Sequence, residues 1–389
     1  ARMFAYGLLS VVLVLYLVEV GWKDWEVGLL LSLSLLGDTA ISLWLTTRAD
    51  RMGRRPTLIV GALLMVLAGI AFLATSNFFA LLITATIGVL SPGGNEIGPF
   101  LSIEQAALSE IVPESRRTDV FAWYHLAGSF STALGALAGG GLTELTQRSG
   151  IDGAAAFRPV LWAYAGIGLA MTIGFMLLSK AIEPETATFA RGRSLLGLHE
   201  SRGTVLKLSL LFALDAFGGG FVIQSVVAYW FHVRFNLDPA ALGTIFLFAN
   251  LGAGVSALAA GWLARRIGLV NTMVFTHLPS NLLLILVPLM PNVQGAISVL
   301  LLRFSISQMD VPTRQAYMMA VVHPDERSSA AGLTAVARSI GASVPPFLAT
   351  MLVGSTALMS LPFFLAGGLK IIYDVLLYRA FSACTDDRG

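Results

Sequence analysis

Apolar residues in this chain gather into long runs separated by short polar breaks. A helix that crosses the hydrocarbon core of a bilayer needs roughly 20 mostly apolar residues. Twelve runs have that character: 3–21, 26–47, 57–75, 78–110, 118–142, 159–180, 205–231, 239–263, 270–289, 294–320, 328–353 and 358–379. None alternates with the period of a membrane strand. One break is long: residues 181–204 are polar and charged, and they divide six runs from six. The pattern predicts an all-α membrane protein of twelve transmembrane helices. Its halves are 1–180 and 205–380, with a cytoplasmic linker at 181–204 and a cytoplasmic tail at 381–389.

Composition agrees with the pattern. The chain is 56% hydrophobic and 12% charged, with a mean hydropathy of +0.77, whereas soluble proteins carry about a quarter charged residues. A formal net charge of +2 gives no basis for nucleic-acid binding. The single cysteine, Cys384, excludes a disulfide within the chain and any paired-cysteine metal site. Residue 1 is an alanine, so the natural start is expected upstream, and no cleavable signal peptide is recognisable. Orientation follows the positive-inside rule. Arg48, Arg51, Arg54, Arg55, Arg116, Arg117, Arg265, Arg266 and Arg327 fall on one side, against Lys23, Arg148, Arg158 and Arg234 on the other. Both termini are expected in the cytoplasm, and the plasma membrane is the expected location.

The halves repeat one another. TRADRMGRRPTL after run 2 aligns with GWLARRIGLVNTM after run 8, which sets Asp50 opposite Arg265 and Gly53 opposite Gly268. EQAALSEIVPESRR aligns with RQAYMMAVVHPDER, which sets Glu104 opposite Arg314. Tyr16 matches Tyr229, and Arg2 matches Asp215. A duplicated six-helix unit is the plan of many secondary transporters. The loop Asp50-Arg51-Met52-Gly53-Arg54-Arg55 resembles the signature of the major facilitator superfamily, and with the 6+6 layout the resemblance covers essentially the whole chain. The signature's usual glycine is replaced by Thr46, while the second copy keeps Gly261. Membership implies an intracellular latch at this loop, with a positive-inside anchor and turn glycine as the simpler reading. It also implies that spans 1, 4, 7 and 10 line a central cavity. The glycines of span 5, without a proline, read as close helix packing.

Charges inside apolar spans are costly and default to functional candidates. Ser91–Gln105 (SPGGNEIGPFLSIEQ) interrupts span 4 with two prolines, three glycines, Asn95, Glu96 and Glu104. Such a stretch is tolerated only against protein or water. On a continuous helix, Glu104 would lie about 12 Å beyond Glu96 and about 80° around it. Span 10 carries Arg303, Asp310 and Arg314, whose spacings fall within about 40° of one stripe. Candidate substrate contacts are Arg303, Arg314, Glu96, Asn95, Tyr16 and Tyr229. Candidate proton-coupling groups are Glu104, Glu96 and Asp310. Gating or structural roles go to Asp50, Arg51, Gly53, Arg54, Arg55, Asp215, Arg338 and Asp38. End-of-helix snorkelling is the plainer alternative for Glu104 and Arg314, and an i, i+4 pair is the alternative for Asp310 with Arg314. Arg303 points either to an anionic group on the substrate or to a partner acid such as Glu96. Lys370 and Asp374 read as a structural i, i+4 pair, and His125 and His277 as satisfied interior residues.

These features predict a proton-coupled secondary transporter of a small polar, anionic or zwitterionic solute. It needs no cofactor and acts as a monomer in the bilayer. Sodium is the alternative coupling ion, since carbonyls freed by Pro92 and Pro99 offer it oxygen ligands. A multidrug proton antiporter, with Phe100, Phe121 and Trp123 lining its pocket, is the second reading. A receptor or an intramembrane enzyme is the third, and no GxSxG, clustered His/Cys ligands or phosphate loop supports it.

Overall fold

The structure is a computed structural model. It describes residues 1–94, 100, 101, 103, 104, 108, 112, 114–179, 199–323 and 326–381, without the side chains of 47–51, 114–119, 121, 122 and 328. Asn95 and Glu96 lie outside the described residues, as do the side chains of Asp50 and Arg51.

In chain order the described helices are α1 (Arg2–Glu19), α2 (Asp24–Met52), α3 (Arg54–Ala74), α4 (Phe78–Ile87), α5 (Glu114–Arg148), α6 (Arg158–Met176) and α7 (Arg202–Gly220). Then come α8 (Gln224–Phe235), α9 (Pro239–Ile267), α10 (Leu269–Leu286), α11 (Val293–Ser307), α12 (Asp310–Val321), α13 (Arg327–Ser343), α14 (Pro345–Val353) and α15 (Leu361–Phe381). Among the described residues, nine helical segments are long and apolar enough to cross a membrane.

Four of the predicted spans are interrupted. Span 4 leaves helical geometry at Gly88, and Gly94 adopts φ +65°. Span 7 breaks between Gly220 and Gln224, and span 10 between Ser307 and Asp310. Span 11 restarts at Pro345, the first helical position, where the missing N–H costs nothing. Within span 10, Pro312 likewise falls in the first turn of α12. The stripe expected for Arg303, Asp310 and Arg314 assumed one continuous helix, so the break at Gln308–Met309 removes the register between Arg303 and the other two.

Duplication is visible in local geometry. Gly53 and Gly268 turn the chain with φ +94° and +84°. In each copy a threonine four residues on, Thr57 or Thr272, donates its hydroxyl to that glycine's carbonyl, at 2.7 and 2.8 Å. A β-carbon on Gly135 or Gly139 of α5 would lie 2.0 or 2.2 Å from the Phe4 or Leu8 carbonyl of α1. Such contact allows no side chain, so Gly135 and Gly139 serve packing.

The chain forms two compact units. The first comprises the described residues of Ala1–Phe189 and Ile223–Leu247, and the second those of Ala190–Val222 and Phe248–Gly389. In the first unit, Ser225 ties the broken ends together. Its N–H donates to the Pro92 carbonyl at 3.2 Å, and its hydroxyl lies 2.5 Å from that oxygen and 2.7 Å from the Ser10 carbonyl. Gln224 donates to the Ser10 hydroxyl at 2.8 Å. Backbone groups released by the breaks are thereby satisfied inside protein, the condition for irregular chain at membrane depth.

Candidate functional site

The first unit holds a closed, half-buried triangle of side chains. Arg2, at the start of α1, donates Nη1 to Glu104 Oε1 at 2.6 Å and Nη2 to the Tyr124 hydroxyl. Tyr124, on α5, donates its own hydroxyl proton to Glu104 Oε2. The guanidinium also sits 5.3 Å from the centre of the Phe100 ring. Each group both orients and is oriented by the other two, and charge-assisted bonds of this kind are stronger than neutral ones.

The second unit is organised around Asp215 of α7. Its Oδ1 accepts from Lys370 of α15 at 2.6 Å, and its Oδ2 from Arg314 of α12 and Arg338 of α13, each at 3.2 Å. His277 of α10 brings Nε2 to 3.7 Å from Oδ1. Arg314 also bonds Asp310 at 2.9 Å and lies 5.4 Å from the Phe212 ring centre. On its other side His277 Nδ1 meets Asp374 at 2.7 Å, and Asn281 donates to the second Asp374 oxygen at 2.9 Å.

Several expectations change here. Lys370 and Asp374 do not pair with each other; each faces a carboxylate or imidazole on another helix, because a tertiary partner at short range outcompetes the i, i+4 geometry. His277 is interior and partnered, but it bridges two acids. His125 is exposed, stacked edge-on against Tyr124 with ring centres 5.8 Å apart. Trp123 is 69% exposed, and the Phe121 side chain lies outside the described residues. Phe100 is fully buried under Arg2. Glu104 and Arg314, aligned in the repeat, each take partners within their own unit.

The remaining candidates divide by what they touch. Arg303 places a buried Nε where no described group accepts from it, with its guanidinium 5.1 Å from the Phe304 ring centre. Tyr16 donates to the Phe72 carbonyl, and Tyr229 to Asp24 Oδ1, both at 2.9 Å, so both hydroxyls tie helices of the first unit together. Asp38 is buried in the same unit. At the loop signature, Gly53 makes the turn, Arg54 is buried and Arg55 donates to the Met176 carbonyl at the end of α6. An arginine there satisfies an orphan carbonyl and complements the helix dipole.

One residue that sequence reasoning passed over is Glu326. Its buried carboxylate accepts the backbone N–H groups of His199, Glu200 and Ser201, the last two at 3.0 and 2.9 Å. It thus closes the start of α7 onto the turn before α13. Burial raises its pKa, but the three N–H donors and the Ser201 hydroxyl win and hold it at about 2. Its position three residues after His323 gave no signal, because its partners lie more than a hundred residues away.

Comparison with known proteins agrees with this architecture. The sequence profile of the Major Facilitator Superfamily matches residues 1–346. An uncharacterised membrane protein of Saccharomyces cerevisiae, YJR124C, is 30% identical over 410 residues, covering 98% of this chain and 91% of the yeast protein. The quinolone resistance protein NorA of Staphylococcus aureus is 26% identical over 142 residues, covering 36% of this chain and 35% of NorA. Among solved structures, a D-xylose–proton symporter superposes with a TM-score of 0.76 at 12% identity, covering 97% of this chain and 94% of the symporter. The fold is the twelve-helix transporter fold in two pseudo-symmetric halves, and the chain belongs to the major facilitator superfamily.

Proposed function

We propose that the protein is a proton-coupled secondary transporter that moves a small polar solute bearing an anionic or zwitterionic group by alternating access. Arg303 carries this reading: a permanently charged, planar fork with a buried, unaccepted Nε, set on a span broken five residues later. Guanidinium geometry suits carboxylate or phosphate. Arg314 is the second basic candidate, with Asn95, Glu96, Tyr16 and Tyr229 as further substrate contacts. Glu104, Glu96 and Asp310 are the coupling acids. The plasma membrane, with both termini cytoplasmic, is the location proposed.

Counterflow in proteoliposomes tests the reading, using organic anions, amino acids, sugars and cationic dyes, followed by an imposed pH gradient. Exchange of an anionic or zwitterionic solute, lost in Arg303→Gln, is expected. Wild-type uphill transport at every pH in Glu104→Gln, Glu96→Gln and Asp310→Asn alike would rule the coupling acids out. A second reading is export of lipophilic cations attracted by Glu96 or Asp310, and the partial likeness to a quinolone resistance protein is what keeps a drug substrate in view. It predicts exchange of the cationic dyes, sensitive to the acid substitutions and indifferent to Arg303→Gln.

A further inference from the structure

His277 is placed between two carboxylates on two other helices. Asp374 Oδ1 is 2.7 Å from Nδ1, and Asp215 Oδ1 is 3.7 Å from Nε2. All three residues are buried. Histidine is the side chain whose ordinary pKa brings its charge change into the physiological range. Its setting therefore asks what each protonation state does to the groups around it.

The charged and titratable groups on the surrounding elements are these. α7 contributes Asp215, α15 contributes Lys370, Tyr373 and Asp374, α12 contributes Asp310, Arg314 and Tyr317, α13 contributes Arg338, and α11 contributes Arg303. Within the ion-paired set, three carboxylates (Asp215, Asp310, Asp374) face three basic side chains (Arg314, Arg338, Lys370), so with all six ionised a neutral imidazole leaves the set uncharged. In that state the imidazole can give one N–H to Asp374, and Nε2 turns a lone pair towards Asp215. A proton arriving on Nε2 breaks no covalent bond. It replaces the lone pair with a second donor, and the set then carries one positive charge.

We propose that His277 and Asp374 form a proton-binding site of the second unit, read out through Asp215. Protonation supplies Asp215 with a fourth cationic neighbour, in competition with Lys370, Arg314 and Arg338. Arg338 is the member to yield, since its side chain is 34% exposed while the Asp215, Arg314 and Lys370 side chains are at most 10% exposed. Loading one proton on α10 therefore loosens the tie between α7 and α13. Asn281 keeps the Asp374 carboxylate oriented in both states through its 2.9 Å bond. The assignment differs from the acids proposed above for coupling. Its role in transport rests on the proton-coupled reading, while proton binding itself does not.

Infrared pH-difference spectroscopy of the purified full-length protein, between pH 5 and 9, tests the site without any substrate. The wild type should show an imidazole band and a carboxyl band changing with one shared midpoint. Both changes should vanish in His277→Gln, and the carboxyl change in Asp374→Asn, while signals from His125, His199, His232 and His323 persist. Separate midpoints for the imidazole and carboxyl bands that His277→Gln removes, or a His277→Gln spectrum superimposable on the wild type, would overturn the proposal. Where His277→Gln fails to fold, Asp374→Asn decides, since a carboxyl change that survives it would overturn the proposal. In proteoliposomes, His277→Gln should keep counterflow and lose at least tenfold of the accumulation driven by a pH gradient. A wild type with no such accumulation would refute the coupled reading, while the infrared midpoints would still decide whether the site binds a proton.

Discussion

The same two positions hold an ion pair in both halves of the repeat, with the charges exchanged. Arg2 of α1 grips Glu104 in the first unit; Asp215 of α7, the counterpart of Arg2, grips Arg314, the counterpart of Glu104, in the second. What surrounds the pair differs. In the first unit a tyrosine completes it, and the charges cancel between two residues. In the second, the acid is shared among Arg314, Arg338 and Lys370, and a histidine joins it to another acid. A closed pair has one stable arrangement. A carboxylate with more cations than it can hold equally well has several, so the second unit is where a small change in charge can redirect bonds.

The largest effect should come from Asp215→Asn, which leaves Lys370 buried without its counter-charge and removes one of the two acids paired with Arg314. Breaking a buried pair on one side costs about 3–5 kcal/mol, readable as a fall in unfolding midpoint of the purified protein. Adding Lys370→Met should recover part of that loss, and no recovery would mean that the ion pairs are not what holds α7 to α15. In the first unit, Arg2→Asp should cost somewhat less, because Glu104 is about a fifth exposed and solvent screens it. Adding Glu104→Arg recreates the polarity of the second unit and should restore most of the stability. If it does not, the two clusters are alike in position only. Tyr124→Phe removes both hydrogen bonds of the hydroxyl and keeps the ring, for an expected loss of about 0.5–1.5 kcal/mol for each bond.

Glu326 gives the smallest effect at neutral pH and the clearest dependence on acid. Its folded-state pKa, about 2, lies below the ordinary 4.5 of a glutamate. The stabilisation is therefore complete above the ordinary value and is lost as the pH falls from there through the folded value. Amide exchange at residues 199–201 should stay slow down to about the ordinary glutamate pKa and quicken below it. In Glu326→Gln it should be faster at neutral pH and flat across that acid range.

Much of the fold was legible because a bilayer imposes a length on every span, and the duplication shows twice in loops whose glycines must turn. The interruptions were legible only in part. Pro345-Pro346 in span 11 suggests a kink from sequence alone, whereas the gap at Gln308–Met309 has no glycine or proline of its own. The site was less legible still. The repeat sets Arg2 against Asp215 and Glu104 against Arg314, yet their pairing within each unit depends on how spans 1 and 4, or 7 and 10, are rotated towards each other, which one sequence does not encode at readable strength. His277 looked solitary because its partners stand 62 residues before it and 97 after it in the chain. Lys370 and Asp374 looked like a pair because helical spacing is the one contact that sequence displays directly.

The hairpin that begins at Ile223 has a practical consequence for anyone who wishes to cut this protein in two. Severing the chain in the 181–204 linker separates Ser10, Asp24 and Pro92 from Gln224, Ser225 and Tyr229, the side chains that cover and bond them. An amino-terminal fragment running to residue 247 keeps those bonds, and complementation between co-expressed pieces should favour that longer fragment over one ending at the linker.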